Sequence, residues 1–275
     1  YFSTLTNRKN HDYRLWTLIR NSLDRVEASF EENQEAALKL VKTIGLLNAL
    51  GSKAAKINHE FLEVYGRECL GIEEVGFILG ELQGLQVLKY RKYRDSYILY
   101  EGSDIDIDGE LDKLRKDIEP VKNIAEALKE YLPWDFAAAK AVSYKRGTPR
   151  FFQFEISEQP LKTFDGNEID GFVNLIFTED EHIKSEILNI KNQPILHAHF
   201  SETPNIKKEL HEIKVIDTLY KKIDDHNDPA KIEIGNERDY RIQSLKNHLN
   251  TVLFDNSNNV RWYFNEQQVE IKNRT

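Results

Sequence analysis

Gly71-Ile72-Glu73-Glu74-Val75-Gly76-Phe77-Ile78-Leu79-Gly80-Glu81-Leu82-Gln83-Gly84 decides how this chain is read, together with Val87-Leu88-Lys89-Tyr90 and Tyr97-Ile98-Leu99-Tyr100 that follow it. The first stretch reads as a helix that ends near Gly84. The two later runs are rich in β-formers and flank Arg91-Lys92-Tyr93-Arg94-Asp95-Ser96, which is a hairpin signal without an Asn-Gly turn. Upstream, Glu35–Leu50 reads as a helix with Leu40, Ile44 and Leu47 inward and Gly51 as its stop, and Asn58 is placed to cap a helix over Glu60–Tyr65. From Leu38 to Ile118 the order is therefore helix, helix, helix, strand, basic turn, strand, which is the order of a winged helix. Such a domain usually puts its third helix against DNA. Here that helix carries Glu73, Glu74 and Glu81 and no Lys or Arg, and phosphate repels a helix of that charge.

The basic turn is the candidate nucleic-acid contact. Lys89, Arg91, Lys92 and Arg94, interleaved with Tyr90 and Tyr93, have the composition of a wing that lies along a phosphate backbone. The same charges also serve as ordinary protection for a hairpin edge. From Leu38 to Ile118 there are 12 basic and 14 acidic residues, a net of −2, so DNA contact by one basic tip is expected to be weak and salt-sensitive.

Further outward, Asn10–Phe30 has Leu15, Ile19, Leu23 and Val26 at helical spacing, and Asp108 is placed to cap a helix over Gly109–Ile118. Beyond Pro120 the pattern alternates. Helices are predicted over Val121–Tyr131, Glu179–Ile190 and Ile206–Ile223, and strands over Phe151–Ile156, Phe172–Phe177 and Ile195–Phe200, which suggests a small sheet with parallel pairings. Asp224–Asn236 is polar, contains Pro229 and reads as a linker. Ile242, Leu245, Leu249 and Val252 form a helical seam that needs a partner: the Ile206–Ile223 helix, a second copy, or sequence beyond Thr275. Arg261–Phe264 and Val269–Ile271 flank a further hairpin turn. The expected class is α/β, α+β overall, in four parts: a helical lead-in (1–33), a winged helix (34–118), a small mixed or parallel α/β domain (119–235), and a helix with a β-hairpin (236–275).

Composition narrows the function. The chain has 275 residues and a net charge of −8, enough length for several cores and no global field to draw nucleic acid or anionic membrane. No apolar run approaches the roughly 18 residues of a membrane span, and no signal peptide opens the chain. Cys69 is the single cysteine, which rules out a disulfide framework or Cys-rich zinc site and fits a reducing cytoplasm. The sequence opens at Tyr1 and contains no Met, so it reads as a piece of a longer protein, or as one whose methionines have dropped out.

Motifs for chemistry fail one by one. Asp104-Ile105-Asp106-Ile107-Asp108-Gly109 opens like a calcium loop, but its twelfth position is Arg115 where the ion needs a bidentate Glu. Ile105 and Ile107 read as core anchors instead. Gly45 to Lys53 has the wrong spacing and order for a phosphate loop. His197 and His199 share one face of a strand, as metal ligands do, with His182 or His211 as the third ligands on offer; strand alternation explains them without an ion. Cys69 lies near His59 and Arg67, but nothing orients a base toward it, and it reads as a small buried hydrophobe. No catalytic, metal or cofactor-binding residue is assigned.

The residues Leu40-Val41-Lys42-Thr43-Ile44-Gly45-Leu46-Leu47-Asn48-Ala49-Leu50-Gly51, the run from Tyr90 to Ile107, and the segment Trp262-Tyr263-Phe264 through Ile271 together resemble the winged-helix-containing region downstream of the nucleotide-binding core in large bacterial STAND or AAA+-like P-loop ATPases, proteins often linked to phage defence or restriction. The resemblance covers most of the chain and rests on structural motifs. It implies a cytoplasmic, multidomain ATPase whose ATP and Mg²⁺ bind upstream of Tyr1, with no cofactor on this part. The expected function is a non-catalytic accessory region that couples nucleotide state to a partner, either its own ATPase core or another protein chain, or to self-assembly. Two alternatives stand beside it: a DNA-contacting module that uses the basic wing, and an enzyme in the α/β half with a site at strand ends near Thr178 or Ser201.

Overall fold

The computed structural model describes residues 11–50, 56–100, 102, 105–132, 136–165, 168–226, 228–254 and 260–270, and its contacts divide the chain into two units, Tyr1–Asp104 and Ile105–Thr275. Both combine helix and strand, the class that the sequence predicts.

In the first unit α1 (His11–Ser29), α2 (Gln34–Leu50), α3 (His59–Leu70) and α4 (Val75–Gly84) precede the antiparallel hairpin β1 (Leu88–Arg91) and β2 (Ser96–Leu99). Asn58 caps α3 by accepting from Phe61 N–H at 2.9 Å, and Gly71, at φ +68°, ends it in the left-handed region that glycine tolerates best. α3 and α4 pack closely because Gly66 has no side chain: a Cβ there would stand 2.5 Å from Val75 Cγ2. Leu40, Val41 and Ile44 of α2, Leu62 of α3, and Ile78, Leu79 and Leu82 of α4 form the core under Leu88 and Leu99 of the hairpin. The segment before α3 runs beside β2, with Tyr97 N–H donating to Ile57 O at 2.8 Å. Ile19 and Val26 of α1 belong to the same core, so the predicted lead-in (1–33) is part of this unit.

The second unit starts with α5 (Ile107–Asp117) and α6 (Ile124–Tyr131). β3 (Phe136–Ala138), α7 (Lys140–Arg146), β4 (Phe151–Ser157), β5 (Gly171–Phe177), α8 (Ile183–Leu188), β6 (Ile195–Phe200), α9 (Thr203–Lys222), α10 (Pro229–Phe254), β7 (Val260–Phe264) and β8 (Gln267–Val269) follow. The strands form one sheet in sequence order, with β4, β5 and β6 parallel and the outer pairings antiparallel. Ile156, Leu175, Ala198 and Trp262 line one face in register and pack under α6, α9 and α10. The opposite face is covered over Ile176 and Tyr263 by Ile183 and Ile187 of α8. α9 and α10 run antiparallel, which pairs Glu209 with His248 (3.1 Å) and Asp217 with Arg238 (2.6 Å).

Several predicted boundaries move. The expected division at 118 falls instead ahead of Ile105, because Ile107, Leu111 and Leu114 of α5 bury against Val215, Ile216 and Leu219 of α9. Arg115, the residue that spoils the calcium loop, grips Glu212 of α9 from Nε and Nη2, each at 3.1 Å. The cap of α5 is Asp106, whose carboxylate accepts from Gly109 N–H at 3.1 Å; Asp108 lies inside the helix. The 224–236 linker is largely the first turns of α10, where Ala230 and Ile234 are buried. The expected separate piece at 236–275 belongs to the sheet domain, since β7 pairs with β6. Of the seam, Leu245 and Leu249 pack on Ile206, Leu210 and Ile213, so its partner is α9 of the same chain.

Candidate functional site

The basic turn between β1 and β2 is short and tied down. Between β1 and β2 the turn closes through Arg94 N–H to Arg91 O (3.2 Å) and Asp95 N–H to Lys92 O (3.4 Å). Asp95 has φ +50°, and its carboxylate accepts from the Tyr90 hydroxyl and from Asn58 Nδ2 (3.1 Å). Those two donors, Tyr90 first, hold its carboxyl below the usual carboxylate range. Lys89 sits 5.7 Å from the centre of the Tyr100 ring. Of the four predicted contact residues Lys92 alone is exposed; Lys89, Arg91 and Arg94 are half-buried.

α4 presents a different surface. Val75, Ile78, Leu79 and Leu82 point inward; Phe77, Gly80 and Glu81 on the helix, and Glu73 and Glu74 just ahead of it, are exposed. Phe77 leaves 59% of its surface to solvent. Added methyl groups at Gly80 or Gly84 would meet nothing within 4 Å, so the face is open along its length. The apolar ring of Phe77 stands near carboxylates and the helix carries no cation, so the surface repels phosphate.

In the second unit the carboxyl ends of the parallel strands, where α/β enzymes place their sites, hold Thr178, Glu179, Ser201 and Thr203. Glu179 accepts from the Thr203 hydroxyl and from Lys207 Nζ (3.1 Å), and these donors hold its carboxyl low. A carboxylate so engaged is a poor general base. His197 and His199 are buried within the sheet rather than lining a polar surface. His197 Nδ1 meets Asn174 Oδ1 at 3.1 Å, His199 Nε2 meets Thr178 O at 3.0 Å, and burial pushes His197 down to about 4. Among the described residues no three His, Cys, Asp or Glu side chains gather as a metal site would need. Cys69 is exposed on α3, against the expectation of a buried one. Gly51-Ser52-Lys53 and Asp104 lie outside the described residues.

Residue spacing predicts no element between Tyr131 and Phe151, yet β3 and α7 form an excursion there on the edge of the sheet. Ser143 knits it together, donating to Ala139 O (2.9 Å) and accepting from Arg150 N–H (3.0 Å), while Gly147 at φ +71° turns the chain back. Asp170 fastens the return by accepting from Arg150 and from Phe151 N–H (2.8 Å). One signal was present: Lys140, Lys145, Arg146 and Arg150 fall in a run without an acidic residue from Phe136 to Phe154.

No family model, curated protein or solved structure matches the chain.

Proposed function

We propose that this chain is a non-catalytic interaction region of a large bacterial P-loop ATPase, and that its first unit is a winged helix that meets protein instead of DNA. One observation carries the reading: α4 leaves Phe77 and Glu81 exposed, and Glu73 and Glu74 just ahead of it are exposed as well. The partner is the protein's own ATPase core or another protein chain. A ligand-driven equilibrium responds only to contacts that differ between its states, so coupling to ATP requires that this face be covered in one nucleotide state and released in the other. The single cysteine suits a reducing cytoplasm.

The test is site-specific photocrosslinking in the full-length protein, with a benzophenone amino acid at position 77 or at position 92. Crosslinks from position 77 to a protein, changing in yield between ATP and ADP, are the expected result. Crosslinks to DNA from both positions would replace this reading with the wing-bound DNA module. A protein crosslink that ignores the nucleotide would leave the docking surface and remove the coupling.

A further inference from the structure

We propose that the β3–α7 excursion and the sheet face beside it form a binding surface for single-stranded nucleic acid. Strand register brings the sheet residues together. Phe136 pairs with Gln153, Ala138 with Phe151, and Gln153 with Phe172, so these side chains stand on one face of the sheet. α8 covers the same face further along, over Ile176 and Tyr263. Over β3 and β4 the face is open: Phe136 is 62% exposed and Phe151 44%. α7 adds Tyr144, 93% exposed, and Val142. Burial of large aromatic rings contributes heavily to folding, yet α7 buries none of its residues.

Charge completes the site. Lys140, Lys145 and Arg146 are exposed, and they form no ion pair with any described residue. They sit in a chain of net charge −8. A cavity of about 450 Å³ opens between Ala138, Lys140, Tyr144, Pro149, Arg150 and Phe151. A second, of about 720 Å³, continues past Phe151 to Phe136 and Phe172, with Asp165 and Glu168 on its far rim. The floor is apolar and aromatic, and the cations stand on the α7 side only. That is the chemistry of a nucleotide: a flat ring on the floor, and an anionic phosphate at the rim. Flat exposed sheet aromatics that stack unpaired bases, with cations tracking the backbone, are the general solution for single strands. A duplex hides its ring faces. A lipid surface would draw on aliphatic anchors, of which α7 has Val142 alone. Asp165 and Glu168 repel phosphate, so the backbone is directed along α7 and the bases toward Phe151.

The experiment is fluorescence anisotropy with the whole 275-residue chain and labelled twelve-nucleotide oligothymidine or oligouridine, across a salt series. Binding of one or both is expected, with the pair telling DNA from RNA. Tyr144→Ala should weaken it about 5- to 150-fold, the range for one stacked base. Tyr144→Phe should restore it. Lys145→Ala with Arg146→Ala should make the slope of log K against log salt shallower by about 1.4. Because these side chains are exposed, the variants should melt as the parent does. Any of four results overturns the proposal: no binding of either oligonucleotide at low salt, binding that Tyr144→Ala leaves unchanged, binding abolished by Lys92→Ala and not by the α7 changes, or tighter binding of a glutamate–tyrosine copolymer or of phosphatidylserine vesicles. The last would assign the surface to an acidic protein or to a membrane.

Discussion

His197 donates from Nδ1 to the side-chain oxygen of Asn174 across 3.1 Å, in a part of the sheet where Asn174 is fully buried and His197 only 2% exposed. The direction is fixed by the rest of the network. Asn174 Nδ2 donates to Glu155 O (3.2 Å) and Ser157 Oγ (2.8 Å), and Oδ1 already accepts from Leu161 N–H (2.9 Å). The amide oxygen faces the ring, so the ring must carry its proton on Nδ1. Nε2 is then bare and has no partner among the described residues. A second proton would add a charge where water cannot reach it, which is why burial lowers the pKa of His197 to about 4.

The first prediction follows from that shift. In the unfolded chain this histidine titrates near 6.5. Between about pH 6.5 and pH 4 the unfolded state takes up a proton that the folded state refuses. Stability is thus full above pH 6.5 and is lost as pH falls toward 4, by up to about 3 kcal/mol. Imidazole NMR should show His197 neutral at pH 5.5, as the Nδ1–H tautomer. A titration midpoint near 6.5 would show that the ring is hydrated and that this account fails.

Gly171 and Gly80 should respond to Ala in opposite directions. A Cβ at Gly171 would lie 2.2 Å from Pro194 O, a backbone atom that also receives Phe172 N–H at 2.9 Å and cannot withdraw freely. Gly171→Ala should cost about 1–3 kcal/mol or more in urea unfolding. At Gly80 nothing lies within 4 Å, so Gly80→Ala should stabilise α4 by about 0.5–1 kcal/mol. Equal effects at the two sites would contradict the packing described.

Asp106→Ala should cost about 1 kcal/mol through loss of the cap on Gly109 N–H, and Asp108→Ala much less. Melting of the two single variants decides which aspartate starts the helix.

Leu249 is fully buried between α10 and α9. Leu249→Ala should cost about 2–5 kcal/mol by leaving a cavity, with no change of mass in sedimentation. Dissociation without loss of stability would mean that the seam joins two chains.

Any affinity of the basic β1–β2 turn for duplex DNA should be slight. Arg91, Lys92 and Arg94 offer three charges and only Lys92 is exposed, so log K should fall against log salt no more steeply than about −3. A salt titration with random duplex, repeated with all three changed to Ala, measures this; a steep slope that survives the change would place DNA elsewhere on the molecule.

Local pattern alone determined a good part of this protein. Apolar spacing at Leu40, Ile44 and Leu47, the Asn58 cap and the β-rich runs around Arg91 are short-range features, and the helices and hairpin of the first unit follow them. Alternation likewise placed β4, β5 and β6, and the spacing of Leu245 and Leu249 announced a helix with a partner. Tertiary structure decided what pattern cannot encode. Ile107, Leu111 and Leu114 look the same whichever unit they serve; burial against α9 assigns them. His197 and His199 alternate as a half-exposed strand would, yet they are buried, because that face takes Asn174 from β5, Tyr263 from β7 and the cover of α8, neighbours that alternation along one strand cannot show. The β3–α7 excursion left no periodic trace, since a three-residue strand and a seven-residue helix that buries nothing are held by Ser143, Gly147 and Asp170 rather than by a core of their own. Its cations were visible in the sequence, but their place beside Phe136 and Phe151 comes only from the pairing of β3 with β4, a contact whose register depends on backbone hydrogen bonds that residue spacing does not record.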